Sequence, residues 1–224
     1  MAVDRDAITN TTDTSAQVSI TTASFTVSGE NRVILVYSVY SGATVASATA
    51  AGLSTGGGTL ALIGATLTNG GTVTVWVGVA PTTGSQTATV TWNNADCNHQ
   101  MVGVITFTGA HQTLAQHQAD FQSATGSSPT APSLTVPNVA ADDFVADALY
   151  FGDDPTAGPN QTDHWSTFGS NASTQDGADG GVMSWSNTGA GAWAHMAFRI
   201  VAAAEGGGGL SVFLEEPIIG GSIF

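Results

Sequence analysis

The sequence predicts an all-β protein, a two-sheet β-sandwich of jelly-roll-like type with a short extended C-terminal tail. The first observation is alternation: in residues 72–79 every second residue is valine, which is the period of a strand with a buried face. The second is that turn-forming stretches, such as residues 69–71 and 81–85, separate these runs. No segment has a clear helical period. About ten strands are therefore predicted.

The strand candidates of the first half begin after a polar segment. Residues 1–15 are rich in Thr and Asp, and we expect an N-terminal arm there. Residues 32–40 are apolar at both parities, which predicts a central strand in a sheet that is covered on both faces. Residues 43–53 are interpreted as a strand with a connection, or alternatively as a short helix. Residues 58–112 contain four apolar runs, which predict a β-meander.

The second half continues the pattern with longer interruptions. Residues 114–119 are interpreted as an extended segment within a loop. Residues 144–151 predict a second long strand that neighbours residues 32–40 in the core. Residues 152–180 form the longest stretch without a strand pattern, and loops of this length are usually functional or disordered. Residues 193–200 predict the strand that closes the domain.

Four segments follow from this order: an arm (1–15), a sandwich domain (16–202), a glycine-rich tether (203–209) and an apolar C-terminal docking tail (210–224). The tail has eight large apolar residues among fifteen, which would promote aggregation if they were left in water. Docking into another subunit is the favoured interpretation, and folding back onto the chain's own sandwich is the alternative. The predicted assembly anchor consists of Leu210, Val212, Phe213, Leu214, Ile218, Ile219, Ile223 and Phe224.

The charge balance limits the classes of partner. The chain has three Arg, no Lys and seventeen acidic residues, which gives a formal net charge of −14. With so few cations to neutralise phosphate groups, neither nucleic acid nor an anionic membrane is predicted as a partner. The N-terminus lacks the basic and apolar segments of a secretion signal, and a single cysteine, Cys97, cannot form an internal disulfide. Synthesis in the cytoplasm without a signal peptide is therefore expected.

Few residues suggest chemistry. The acidic stretch around residues 152–180 could offer oxygen ligands to Ca²⁺ and an indole face to a sugar, although solvated carboxylates and core packing explain the same residues. This candidate glycan or cation loop comprises Asp153, Asp154, Asp163, Trp165, Asp176 and Asp179. Residues 52–56 match the spelling of a nucleophile elbow, but no helical pattern follows them. No catalytic residue, metal site or cofactor is predicted.

Six strand motifs together resemble a family of β-sandwich domains, roughly 200 residues long, found in phage structural genes and bacterial surface proteins. The resemblance covers about residues 15–202 and implies a binding or structural role, with no catalytic residue to carry over. The tail also resembles the short apolar terminal anchors of virion components. The motifs are residues 31–36, 59–64, 75–81, 87–92, 104–109 and 196–200.

These observations lead to two main functional hypotheses, and to a third, a glycan-degrading enzyme, for which the sequence singles out no pair of carboxylates. The first is a non-enzymatic bacteriophage virion protein, such as a capsid decoration, head-fibre or tail-associated component, that binds other virion structural proteins through residues 210–224. The chain is then located in the virion, and a homo-oligomer is expected, with a trimer as one option. The alternative is a carbohydrate-binding or adhesin module, in one version dependent on Ca²⁺, that recognises a glycan on the host surface.

Overall fold

The computed structural model of this protein describes residues 1–42, 48–54, 60–68, 70–93, 97–127, 131–152, 155–167, 169–186 and 191–204. Within these ranges the chain forms seventeen β-strands, one five-residue helix and one turn of 3₁₀ helix at Gly177–Asp179. The first ten strands are β1 (Asp4–Asp13), β2 (Ser19–Thr21), β3 (Phe25–Val27), β4 (Val33–Gly42), β5 (Ala48–Leu53), β6 (Ala61–Thr68), β7 (Gly71–Val79), β8 (Gly84–Gln86), β9 (Ala88–Trp92) and β10 (Cys97–Thr108). The remaining elements are α1 (Leu114–Gln118), β11 (Gln122–Ser127), β12 (Ser133–Thr135), β13 (Phe144–Phe151), β14 (Thr162–Thr167), β15 (Ser170–Asp176), β16 (Val182–Ser184) and β17 (Ala192–Ile200).

Two five-stranded antiparallel sheets form the sandwich, and each comes from one half of the chain. The first sheet has the order β1-β10-β4-β7-β6, and the second has the order β11-β17-β13-β15-β14. Strand β4 is therefore central in the first sheet and β13 is central in the second. The predicted all-β two-sheet sandwich is confirmed.

The main core lies between these two sheets. Leu35 and Tyr37 of β4 belong to the same buried cluster as Ala146 of β13 and Phe198 of β17. The ring of Trp165 meets that of Tyr37 edge to face, with centroids 5.5 Å apart, a geometry that aromatic pairs favour. Residues 144–151 thus neighbour β4, as predicted, across the sandwich and not within one sheet.

A second core covers the other face of the first sheet. A small three-stranded sheet of order β2-β9-β5 packs there. Ile34 and Val36 of β4 are fully buried in the same cluster as Val90 and Trp92 of β9. These two cores explain why β4 is apolar at both odd and even positions, because the side chains of alternate residues face different layers.

The outer face of the second sheet is covered in part by the two-stranded sheet β12-β16. Val136 and Met183 pack there against Val145 and Ala197 of the sheet. A further short pair, β3-β8, adjoins the first sheet's outer layer. The described part of the fold therefore has an additional small sheet outside each sheet of the sandwich.

Two predictions about the first half are wrong. Residues 1–15 are not an arm, because Asp4–Asp13 forms the edge strand β1, which pairs with β10 over nearly its whole length. The four runs of residues 58–112 are not a meander. Strands β6 and β7 form a hairpin, but β9 joins the small outer sheet and β10 pairs with β4 and β1.

Two predictions about the second half are also wrong. Residues 114–118 form helix α1, which buries His117, so they are not extended. Residues 152–180 contain β14 and β15 at one edge of the second sheet. In β15 six of seven residues are buried, and they are mostly polar residues without alternation, which concealed the strand in the sequence. Most of the predicted tether and the whole tail lie outside the described residues.

Candidate functional site

A carboxylate on the outer face of the second sheet accepts four hydrogen bonds. Asp147, in the middle of β13, is fully buried. Its Oδ1 accepts from the backbone N–H and the hydroxyl of Ser173, both at 2.8 Å. Its Oδ2 accepts from Nε1–H of Trp185 at 2.6 Å and from Nε2–H of His195 at 2.9 Å. We call these four residues the Asp147 network.

Strand alternation brings the network together. Asp147 shares the outer face of β13 with Leu149, and His195 shares the outer face of β17 with Trp193, because residues two apart point to the same side. Ser173 lies on the neighbouring strand β15. Trp185, which directly follows β16, covers the group on the side away from the sheet. The network therefore joins three strands of the sheet to the layer outside it.

The network is sealed from solvent. Ser173 and His195 are fully buried, and Trp185 is 2% exposed. Nε2 of His195 donates to Asp147, and its Nδ1 is buried without a hydrogen-bond partner among the described residues. Four charge-assisted hydrogen bonds compensate the carboxylate for its loss of water. The arrangement thus stabilises the fold where the β12-β16 layer meets the sheet.

A partly buried amide extends the network toward the surface. Nε2 of Gln161 donates to the hydroxyl of Ser173 at 2.7 Å, and its Oε1 accepts the backbone N–H of Ser184 at 2.8 Å. The turn that carries Gln161 closes through its own N–H to the carbonyl of Gly158. A side chain at position 158 would collide with Ser184 and with the Gln161 amide, so glycine permits this close approach.

A second polar cluster closes one end of the second sheet. Arg199 of β17 forms ion pairs with Asp120 at 2.6 Å and with Asp143 at 3.4 Å, and it also donates to the carbonyl of Asn138. Asp143 in turn accepts the backbone N–H groups of residues 140 and 202. The cluster holds the loops before β11 and β13 against the last strand, which is a structural role.

Helix α1 adds a buried histidine to this end of the molecule. Nε2 of His117 donates to the carbonyl of His111 at 2.7 Å, and its Nδ1 accepts the backbone N–H of Val201 at 3.2 Å. Burial lowers the pKa of His117 below its ordinary value. This neutral imidazole therefore links the α1 segment to the end of β17.

A third group lies where the edge strands of the two sheets approach each other. Arg5 of β1 donates to the hydroxyl of Thr174 at 3.0 Å and lies 3.4 Å from Nε2 of His164 on β14. Burial, with a smaller contribution from the Arg5 charge, lowers the pKa of His164 to about 4. On the same strand, burial and then the negative charge of Asp147 raise the pKa of Asp163.

Acid should weaken the fold through His164. Its folded pKa of about 4 lies below the ordinary 6.5, so the unfolded chain binds the proton first as the pH falls. The stability from this residue is complete above about pH 6.5 and is lost between there and about pH 4. Urea unfolding at about pH 7 and at about pH 5 measures the stability that is lost between the two conditions. We expect this loss to be smaller in H164Q than in the parent protein. His117 acts in the same direction, so part of the loss should remain.

The control for that experiment is the parent protein under the same two conditions. Because the pKa of Asp163 is raised, this residue increases stability as the pH falls at the acidic end of the range. It is present in both proteins, so its contribution is common to them. An equal loss of stability in H164Q and in the parent would contradict the assignment.

The described members of the predicted glycan or cation loop lie on three different elements. Asp163 lies on β14, Asp176 ends β15 and Asp179 lies in the 3₁₀ turn, whereas Asp153 and Asp154 are outside the described residues. Trp165 is only 6% exposed and packs in the main core, so it does not offer a stacking face. The other tryptophans, Trp76, Trp92, Trp185 and Trp193, are buried as well. Core packing, the alternative noted from the sequence, therefore explains all five.

The remaining predicted positions give mixed outcomes. The eight anchor residues of 210–224 lie outside the described residues, so the docking tail stays a prediction. Ser54 of the elbow-like motif follows β5, and its hydroxyl accepts the backbone N–H of Thr87.

Asp147, Ser173 and His195 were missed by the sequence reasoning. The available signal was one Asp in an otherwise apolar run, since a carboxylate there must find buried donors.

Within the described ranges, no group of three or more His, Cys, Asp and Glu side chains could hold a metal ion. No helix in that part of the chain is long and apolar enough to cross a membrane. Comparisons with protein-family models, curated proteins and solved structures find no match to this chain.

Proposed function

We propose that this chain is a non-enzymatic structural protein of a bacteriophage particle, of the capsid decoration, head-fibre or tail-associated type. The observation that carries the proposal is the role of its buried polar groups. Asp147, His195 and Arg199 each tie together separate strands or loops, so chemistry-bearing side chains are used to hold a layered β-sandwich together. The chain has seventeen acidic residues and only three Arg, and this high net negative charge suits a domain that is displayed in solvent.

Attachment is assigned to residues 210–224. The tail carries eight large apolar residues after four consecutive glycines, and such a segment would promote aggregation if it were left in water. Burial of apolar surface contributes about 25 cal/mol per Å², and a glycine tether permits docking at a distance. A groove or sheet edge of another virion protein is the partner that fits this segment.

The direct test is to locate the chain. Phage particles are purified on a density gradient from a culture that carries the gene, and their proteins are identified and quantified by mass spectrometry. We expect the chain at a fixed ratio to the major capsid protein. Its abundance in the soluble lysate together with its absence from the particles would overturn the proposal. Sedimentation of the purified chain measures whether it forms the expected homo-oligomer.

Ending the chain at Ala204 should separate folding from attachment. We expect the shortened protein to unfold within about 2 °C of the full chain, because the last described backbone hydrogen bond, from Ala203 to Gly109, is retained. Incorporation into particles should fall to background. The matched control keeps all 224 residues but replaces the eight anchor residues with serine, and it should also be excluded. Undiminished incorporation of either protein would refute the anchor.

A further inference from the structure

The amide of Gln161 and the hydroxyl of Ser173 are in direct hydrogen-bond contact. The orientation of the amide is determined by Ser184, because a backbone N–H can only donate and therefore faces Oε1. Nε2 is then directed at Oγ of Ser173, 2.7 Å away. The amide carbon Cδ is bonded to Nε2, and Nε2 is the atom that contacts the hydroxyl oxygen.

The Ser173 hydroxyl is paired with a base. Its Oγ donates to Oδ1 of Asp147 at 2.8 Å, and both residues are fully buried. Withdrawal of that proton increases the nucleophilicity of the serine oxygen. A negative charge that develops on Oε1 of Gln161 during attack would be stabilised by the N–H of Ser184, which already lies 2.8 Å from it. Nucleophile, base, acyl carbon and oxyanion donor are thus adjacent.

We propose that Ser173 and Gln161 form an intramolecular ester cross-link with release of ammonia. Oγ of Ser173 attacks Cδ of Gln161 while Asp147 accepts the hydroxyl proton, and the new C–O bond gives a tetrahedral intermediate. The C–N bond then breaks. The departing nitrogen keeps its two hydrogens and takes the proton from Asp147, so it leaves as ammonia. No oxidant, metal or second substrate takes part, and the carboxylate is regenerated.

The surroundings favour the product. The two groups are already held in contact, so their reaction does not require the entropy loss of bringing two separate molecules together. The ester oxygen would belong to the fully buried Ser173, which limits the access of water to the bond, while the acyl carbon would belong to the partly exposed Gln161. Ammonia, in contrast, escapes into solvent and is protonated there. Gly158 allows the turn to approach closely enough for Gln161 to reach β15.

The bond would join the turn before β14 to β15, across a sequence separation of twelve residues. A covalent link of this kind restricts the unfolded chain as a disulfide does. This chain has one cysteine and cannot form an internal disulfide. The ester is independent of the proposed attachment to a particle, so either proposal can fail without the other.

The test is the intact mass of the purified full-length chain after the folded protein has been held overnight at growth temperature. We expect a mass lower than that of the sequence by one ammonia. Proteolysis should yield one branched peptide that contains both position 161 and position 173, and hydroxylamine should separate it into two, because hydroxylamine cleaves esters. The full sequence mass, with the two positions in separate unmodified peptides, would overturn the proposal.

Three variants identify the source of any lost ammonia. S173A removes the nucleophile and Q161M removes the amide, so both should show the full sequence mass. Q161M changes a partly exposed turn residue and keeps the proposal testable if S173A does not fold. S166A is the matched control: Ser166 also contacts an amide, that of Asn171 at 2.7 Å, but donates its proton to the amide oxygen. Loss of ammonia should persist in S166A, and its persistence in Q161M would refute the cross-link.

Discussion

Replacement of Asp147 with alanine should lower the free energy of unfolding by about 3–5 kcal/mol, the usual cost of removing one partner from a buried charged pair. The variant leaves the indole N–H of Trp185, the imidazole N–H of His195 and both donors of Ser173 without their acceptor. Each of these groups is buried and cannot recover a bond to water without opening the fold. Urea unfolding followed by tryptophan fluorescence measures the loss, because all five indoles are buried.

The control for this substitution is D163A, on the exposed edge of the same sheet. Asp163 lies on β14, opposite Ser173 in the strand register, but it is an exposed residue whose carboxyl is only partly desolvated. We expect its replacement to change stability by no more than about 0.5 kcal/mol. Equal effects of the two substitutions would show that the Asp147 network does not stabilise the fold.

Truncation of either Ile34 or Leu35 to alanine should cost about 2–5 kcal/mol, the range for fully buried aliphatic side chains. The two residues are neighbours on β4 and point to opposite faces of the first sheet. Leu35 packs in the core between the large sheets, and Ile34 packs under the small sheet β2-β9-β5. In a sandwich whose outer face met water, only one of the two substitutions would be costly.

Denaturant midpoints of I34A and L35A provide the measurement. L62A is the matched control, since Leu62 lies on the edge strand β6 and is 50% exposed. It should lose no more than about 0.5 kcal/mol. A loss below about 1 kcal/mol for I34A would contradict the outer layer as a true core.

The sequence predicted a strand correctly where the side chains on one or both of its faces are uniformly buried. The valines of β7 predicted a strand through their alternation, and the continuous apolar run of β4 predicted a central strand with two covered faces. Both are confirmed by the positions of these strands in the first sheet. Local patterns of this kind survive folding, because a strand's side chains alternate whatever its partners are.

Other strands were missed because their burial depends on partners that are remote in sequence. β1 is mostly polar, and it is a strand only because its backbone pairs with β10, about a hundred residues away. β15 consists mostly of polar residues, and all but the last of its residues are buried in the strand between β13 and β14. In neither strand does hydrophobicity indicate the structure, since backbone hydrogen bonds and side-chain polar contacts replace apolar packing.

The candidate site shows the same division. Asp147 was visible as a carboxylate within an apolar run, yet the identity of its donors depended on which strands became its neighbours. The sequence by itself determined the all-β class, the hairpin of β6 and β7 and the two-faced burial of β4, because these depend on local alternation and turns. Only the tertiary structure decided the strand order, the two additional outer layers and the contact of Gln161 with Ser173, because long-range strand pairing has no local signature in the chain.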